Sequence, residues 1–187
     1  MHACARVSFY INHYEIIYFL LRSLPTANDT TNYHFTTPNN SCRVIQKAIR
    51  CLDQDDVSRL VNLFRDQVMN FIYDPNGNHV IQQSIQVMSR LAKSSLATDD
   101  GHNEPDQPSK CLSDQMQFII DEIIDNVQML STHRYGCRVV QRAIQHCVDS
   151  QKLAVLEEII SCHEKLIMDQ YGKMLLRFIL WPRLVLY

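Results

Sequence analysis

Glycine is scarce in this chain, with four in 187 residues, and proline is little commoner at six. So few breakers of regular backbone exclude a loop-built or collagen-like chain and suit a mostly helical one. Paired cysteines are missing as well. Seven cysteines lie scattered singly, with no C-x-x-C. That excludes a disulfide framework and points to free thiols in a reducing, cytoplasmic compartment. Neither sign of charge dominates. The net charge of −2 argues against a general polyanion binder, because non-specific affinity for nucleic acid comes from Lys and Arg neutralising phosphates. A local basic or stacking surface would be averaged away at this level.

Long apolar runs are also absent. Met1 to Leu24 is apolar and aromatic (Phe9, Tyr10, Tyr14, Tyr18, Phe19), but Asn12, His13, Glu15 and Arg22 interrupt it. A membrane span needs about 20 nearly uninterrupted apolar residues. A clean apolar core and cleavage site of a signal peptide are missing too. This stretch reads as one or two amphipathic helices packing on the next unit, with no membrane partner. No nucleophile elbow, phosphate loop or metal motif is present, so neither an enzyme nor a bound cofactor is expected. His146-Cys147 and Cys162-His163 bring together zinc-binding residue types, but not at a standard ligand spacing. Cys147 falls on an apolar stripe, where cysteine serves as a small core residue.

The informative stretch is His133 to Cys147, H-R-Y-G-C-R-V-V-Q-R-A-I-Q-H-C. A helix from about Cys137 gathers Val139, Val140, Ala143, Ile144, Cys147 and Val148 on one stripe, with Cys137, Arg138, Gln141 and Gln145 opposite. Tyr135-Gly136 supplies the break before it, glycine tolerating the backbone angles of a tight turn. Asn40 to Ile49 repeats this pattern, Asn76 to Ile85 repeats it again, and Tyr171 to Arg177 is a looser copy. Cys42, Asn78, Cys137 and Lys173 are equivalent, at intervals of 36, 59 and 36 residues, the middle one enlarged by an insert of 23. A fixed period of this size is the mark of a helical repeat array, an all-α solenoid.

Around these copies the chain divides simply. Pro25 to Asn40, rich in Thr, Asn and Pro, reads as a loop. Asp55 to Phe71, Ser113 to Leu130 and Val155 to Ile167 each read as one amphipathic helix. The second of these has Phe118, Ile119, Ile123, Ile124 and Val127 as its buried face. Ser94 to Ser109 lacks apolar periodicity and reads as a disordered surface loop. Trp181-Pro182 is expected to cut the last helix short, so the chain reads as ending within the array. The organisation is then an N-terminal helical segment and loop over 1–35, followed by a partial array of about four repeats over 36–187, with a disordered insert near 90–112.

The repeated Y/N-G-[CN]-[RH]-V-[IV]-Q at this period resembles the Pumilio (PUF) family of RNA-binding repeats, from about Pro38 to the C-terminus with the insert excepted. The resemblance implies an α-α superhelix, a curved solenoid of three-helix repeats whose concave face binds single-stranded RNA, one base per repeat. It further implies that three side chains on each repeat's second helix meet a base, two at its edge and one stacking on its face. By that carry-over the edge readers and stacker are Cys42, Gln46 and Arg43 in the first copy. They are Asn78, Gln82 and His79 in the second, and Cys137, Gln141 and Arg138 in the third.

The chemistry of these residue types fits independently. Residues four apart share a helical face, an amide offers donor and acceptor together, and guanidinium and imidazole are flat enough to stack. By the family's code, Cys with Gln reads adenine and Asn with Gln reads uracil. Antiparallel RNA then gives 5′-A-U-A-3′ from third copy to first. The implied function is sequence-specific binding of mRNA 3′ untranslated regions, A/U-rich, for translational repression or decay through recruited proteins, with no role for DNA. The copies look like the third, fourth and fifth of the family's usual eight. Departures stand out at Ser41, where glycine is usual, and at Lys173, Met174 and Arg177. Met174 cannot stack as a ring does, and Lys and Arg lack an acceptor. A helical protein-interaction scaffold with a decayed RNA face is the competing expectation.

Overall fold

The computed structural model describes residues 39–96 and 113–184. The expected N-terminal helices, the loop up to Pro38 and the insert over 97–112 lie outside the described residues.

Helix α1, Asn39–Cys51, opens the described chain. After it, α2 (Gln54–Asn62) starts at an extended Asp53, whose carboxylate accepts from the Asp56 N–H at 3.0 Å. Such a cap satisfies one of the orphan donors of the first turn. A 3-10 turn, Arg65–Gln67, leads into the short α3, Val68–Tyr73. The long α4 runs Asn78–Leu96. Beyond the insert come α5 (Gln117–Asp125), α6 (Val127–Ser131) and α7 (Gly136–His146). Helices α8 (Asp149–Ser161), α9 (His163–Met168) and α10 (Gln170–Leu184) complete the described chain.

Each continuous amphipathic helix of the sequence reading is in fact two helices with a break at a fixed place. Gln67, Asn126 and Cys162 occupy that place, with φ of −128°, −117° and −109° and ψ of 4°, 17° and 12°. The apolar period runs through the break undisturbed, which is why periodicity alone joins the two pieces. The kink has a packing reason. It brings the Phe64 and Phe71 rings to 5.2 Å, closer than two turns of a straight helix allow. Two boundaries also differ from expectation. Residues 90–96, assigned to the insert, continue α4 and bury Ala92. The last helix runs through Pro182 to Leu184; proline removes one intrahelical bond there without ending the helix.

The helices stack in three columns. In the first, α1 packs on α4, α4 on α7 and α7 on α10. The short helices α6 and α9 pack in a second column, and α5 and α8 in a third. Side-chain bonds tie neighbours within columns, from Arg50 Nε to Gln83 Oε1 at 3.1 Å and from Gln151 Nε2 to Gln117 Oε1 at 2.8 Å. One apolar core runs the length of the stack, through Ile45, Ile49, Phe64, Ile81, Ile85, Ile119, Val140 and Leu175, all fully buried. Each such side chain contributes about 1.5–3 kcal/mol by leaving water. Phe118, Ile119, Ile123 and Val127 are buried as their spacing predicts, while Ile124 is only partly so.

Candidate nucleic-acid interface

The first column carries all the residues that the sequence singles out. Its helices begin the same way three times. One side chain, placed identically in each unit, accepts from the backbone N–H groups two and three residues on. Asp74 Oδ1 takes those of Asn76 and Gly77 at 2.9 and 2.5 Å, and Asp169 Oδ1 takes those of Tyr171 and Gly172 at 2.8 and 2.9 Å. In the unit between, His133 Nδ1 does the same for Tyr135 and Gly136 at 3.3 and 3.2 Å. To accept, that nitrogen must be unprotonated. Burial, and after it the Arg134 cation, hold the His133 pKa below its usual value and so favour this form.

Glycine follows the cap each time, for a reason other than the one expected. Among the described residues no glycine has positive φ. Instead a Cβ at Gly77 or Gly136 would meet the carbonyl oxygen of Phe71 or Leu130 at 2.8 or 2.6 Å, and one at Gly172 would run into that of Leu166. The glycine lets the start of each column helix lie directly on the short helix before it.

On these helices the three candidate stackers Arg43, His79 and Arg138 are all exposed. They hold the same register on helices that pack in series, so they line one face. The edge-reading pairs sit deeper than the sequence reading placed them. Cys42, Asn78 and Cys137 are buried, Gln141 is 8% exposed, and Gln46 and Gln82 are half-buried. Cys137 and Gln141 therefore do not share the solvent side with Arg138 and Gln145. They lie on its flank, where the neighbouring column helices close over the start of α7.

Hydrogen bonds fix how these groups present themselves. Both amide hydrogens of Asn78 are engaged, donated to the carbonyls of Asp74 and Pro75 at 2.8 and 2.9 Å. Its Oδ1 accepts from Gln82 Nε2 at 2.9 Å. Asn78 thus offers a ligand an acceptor only, because an inverted amide would set oxygen against two carbonyls. Arg138 Nη1 donates to Gln141 Oε1 at 3.2 Å, which leaves Gln141 its N–H donors. The Cys137 thiol donates to Arg134 O at 3.6 Å, and burial pushes its pKa up, keeping it a neutral thiol.

Charge is segregated. Helix α1 carries Arg43, Lys47 and Arg50, α4 carries Arg90 and Lys93, α7 carries Arg138 and Arg142, and α10 carries Lys173 and Arg177; none of the four has an Asp or Glu. The acids gather on the third column, at Asp121, Glu122 and Asp125 of α5 and Asp149, Glu157 and Glu158 of α8. The whole-chain charge of −2 conceals this, and sequence reasoning missed the stripe because it summed over the chain instead of over one helix class. In the fourth unit Lys173 and Arg177 are exposed and Met174 is half-buried. Cys147 is buried near Ser89 and His163 is exposed, and no group of His, Cys, Asp and Glu that could hold a metal occurs among the described residues.

Stacked units of short helix, column helix and outer helix, with a recurrent trio on one basic face, define a helical-repeat solenoid. The Pumilio-family RNA binding repeat matches residues 39–63, 67–97 and 126–160. A Pumilio domain-containing protein of Schizosaccharomyces pombe is 31% identical over 139 residues, which are 74% of this chain and 17% of that protein. Suppressor protein MPT5 of Saccharomyces cerevisiae is 31% identical over 147 residues, 74% of this chain and 14% of its own length. The solved Puf3 RNA binding domain, bound to a Cox17 RNA 3′ UTR recognition sequence, has a TM-score of 0.58 at 32% identity, over 75% of this chain and 34% of that one. PUF-8 in complex with PBE-RNA has a TM-score of 0.58 at 27% identity, over 75% of this chain and 35% of that one. This chain belongs to the Pumilio family. It spans a minor part of each relative's length, and the repeat match ends at residue 160.

Proposed function

We propose that the chain binds single-stranded RNA sequence-specifically, one base on each of α1, α4 and α7, in the order 5′-A-U-A-3′ from α7 to α1. The observation that carries this is the recurrence of Arg43, His79 and Arg138, exposed at one register on helices packed in series. Solvent-facing residues with no common ligand have no reason to keep such a register. Hydrogen-bond polarity supports the middle assignment. Asn78 presents an acceptor, which suits the N3–H of uracil, while Gln82 retains a donor for a neighbouring carbonyl. The buried thiols of Cys42 and Cys137 leave room for the larger purine. RNA-bound relatives support the class of ligand.

In the cell the ligand is an A/U-rich element of an mRNA 3′ untranslated region. The consequence is repressed translation or accelerated decay, through recruited proteins in the cytoplasm. Stacking is worth about 1–3 kcal/mol per base, so three units supply on the order of 3–9 kcal/mol before the association cost, for about micromolar affinity. The unmatched fourth unit, with Lys173, Met174 and Arg177, favours a second reading, a protein scaffold whose RNA face has decayed. Fluorescence anisotropy with an A-U-A-containing single strand separates the two. Binding that falls when His79 is replaced by Ala supports the RNA reading. Equal affinity for A-U-A and for a cytidine-only strand, steeply salt-dependent in both, would leave only phosphate attraction and reject sequence-specific reading.

A further inference from the structure

The first and third units carry the same trio, Cys, Arg and Gln, yet their glutamines are held differently. In α7 the stacker bonds to the reader of its own trio, Arg138 Nη1 donating to Gln141 Oε1 at 3.2 Å. Arginine has donors only, so the amide oxygen is the end that faces it. Among the described residues no such bond joins Arg43 to Gln46 in α1. In α4 the stacker His79 leaves Gln82 alone, and Gln82 Nε2 donates to Asn78 Oδ1 instead. Burial differs in the same sense. Gln141 is 8% exposed, whereas Gln46 and Gln82 are half-buried. A hydrogen bond from a charged donor is stronger than a neutral one, and it gains further away from water. The α7 amide is therefore fixed with its oxygen towards the guanidinium, while the α1 amide is free to turn over. Among the described residues nothing accepts from Gln141 Nε2, so this nearly buried group keeps its N–H donors for a ligand.

Resting on the reading of Gln141 as a base-edge reader, we infer that Arg138 is a positioning residue as well as a stacker. By holding the Gln141 oxygen it makes α7 select adenine over guanine, and more sharply than α1 does with the same trio. The two purines are alike in size, so the room left by Cys137 admits both. They differ at N1, a bare acceptor in adenine and an N–H donor in guanine. A Gln141 that offers only N–H meets adenine N1 with a hydrogen bond and guanine N1–H with donor against donor. An amide free to turn over serves either purine, with nitrogen for one and oxygen for the other. That is the situation of Gln46. A polar group left unpaired in a dry site costs more than a hydrogen bond gains, so the fixed amide acts chiefly by rejecting guanine. The guanidinium does both tasks at once, since stacking uses its face and leaves the N–H groups of its edge to donate.

Competition binding of the whole chain to A-U-A, G-U-A and A-U-G strands tests this, the first base facing α7 and the last α1. Circular dichroism confirms that each variant folds. Arg138→Phe keeps a flat stacker and removes the donor, whereas Arg138→Lys keeps a donor and removes the flat face. Wild type should prefer A-U-A over G-U-A by a larger ratio than A-U-A over A-U-G. Arg138→Phe should shrink the first ratio about tenfold and leave the second unchanged. Arg138→Lys should weaken binding to all three strands and keep the first ratio. Arg43→Phe removes the same charge without breaking a bond to glutamine, and should leave both ratios where they were. An Arg138→Phe chain as selective as wild type at the first base overturns the inference while leaving base reading intact. So does an equal loss of selectivity in Arg43→Phe, which would assign the effect to the lost charge. A wild type indifferent to the three strands overturns the reading of the trios itself, and the inference with it.

Discussion

Lowering the pH should loosen the third unit before the second or fourth, because its cap is a histidine where they have aspartates. His133 Nδ1 accepts from two backbone N–H groups at the start of α7. Its ring packs edge-on against Tyr73 at 4.7 Å and Tyr135 at 5.5 Å, with the Arg134 cation over the Tyr135 ring. Protonation removes the acceptor and sets a second cation at a helix N-terminus. Losing such a cap costs about 0.5–2 kcal/mol and the misplaced charge about 0.3–1 kcal/mol, together about 1–3 kcal/mol. The sign follows from the lowered pKa of His133 in the fold. The unfolded chain takes up the proton first, so the contribution is complete above the unfolded value of about 6.5 and declines as pH falls below it. His133→Asp restores the acceptor found at Asp74 and Asp169 and moves this loss into the carboxylate range. Urea denaturation at about pH 7.5 and about pH 5.5 measures it. Wild type should lose about 1 kcal/mol more than His133→Asp between the two, ~1.4 kcal/mol being the ceiling for one proton over this range. The comparison is needed because His146 also has a lowered pKa, from burial and then from Arg142, Lys93 and Lys152. Equal losses in the two proteins would show that the ring is not the cap.

Two further outcomes follow from packing. Gly136→Ala gains about 1 kcal/mol of helix propensity, yet its Cβ would meet Leu130 O at 2.6 Å. Denaturation should therefore show a net loss of about 1–3 kcal/mol, and a net gain would mean that α6 and α7 do not lie this close. Among the described cysteines Cys51 is exposed, while Cys42, Cys137 and Cys147 are buried, the Cys147 pKa being pushed up to about 11 by burial. Brief alkylation of the native chain followed by mass spectrometry should label Cys51 and spare those three, and labelling of Cys147 at the rate of Cys51 would contradict the packing of α4 on α7.

How much of this was legible beforehand depended on what repeats. The period, the all-α class, the register of Arg43, His79 and Arg138, and the buried face around Ile119 and Ile123 all follow from spacing that a helix imposes. The breaks at Gln67, Asn126 and Cys162 did not show, since none of these residues is a glycine or proline and the apolar rhythm passes through them. Glycine's place was legible but its reason was not. A sequence shows that a side chain is missing, not which carbonyl fills the space. The depth of Cys137 and Gln141 was misplaced for a related cause, a helical wheel having no knowledge of the neighbours that cover its flanks. The capping equivalence of Asp74, His133 and Asp169 was present in the period all along, but it joins residue types that share nothing except an acceptor.

Base selection by α4 is the point on which the reading of this surface turns, and a competition series measures it. An A-U-A strand is offered with its middle base replaced by each of the four, against wild type and against Asn78→Cys, which copies the pair found in α1 and α7. Uracil should rank first for wild type and adenine first for the variant, by about tenfold or ~1.4 kcal/mol in each case. The same ranking of the four bases by both proteins would contradict the assignment of Asn78 and Gln82 as readers of a base edge.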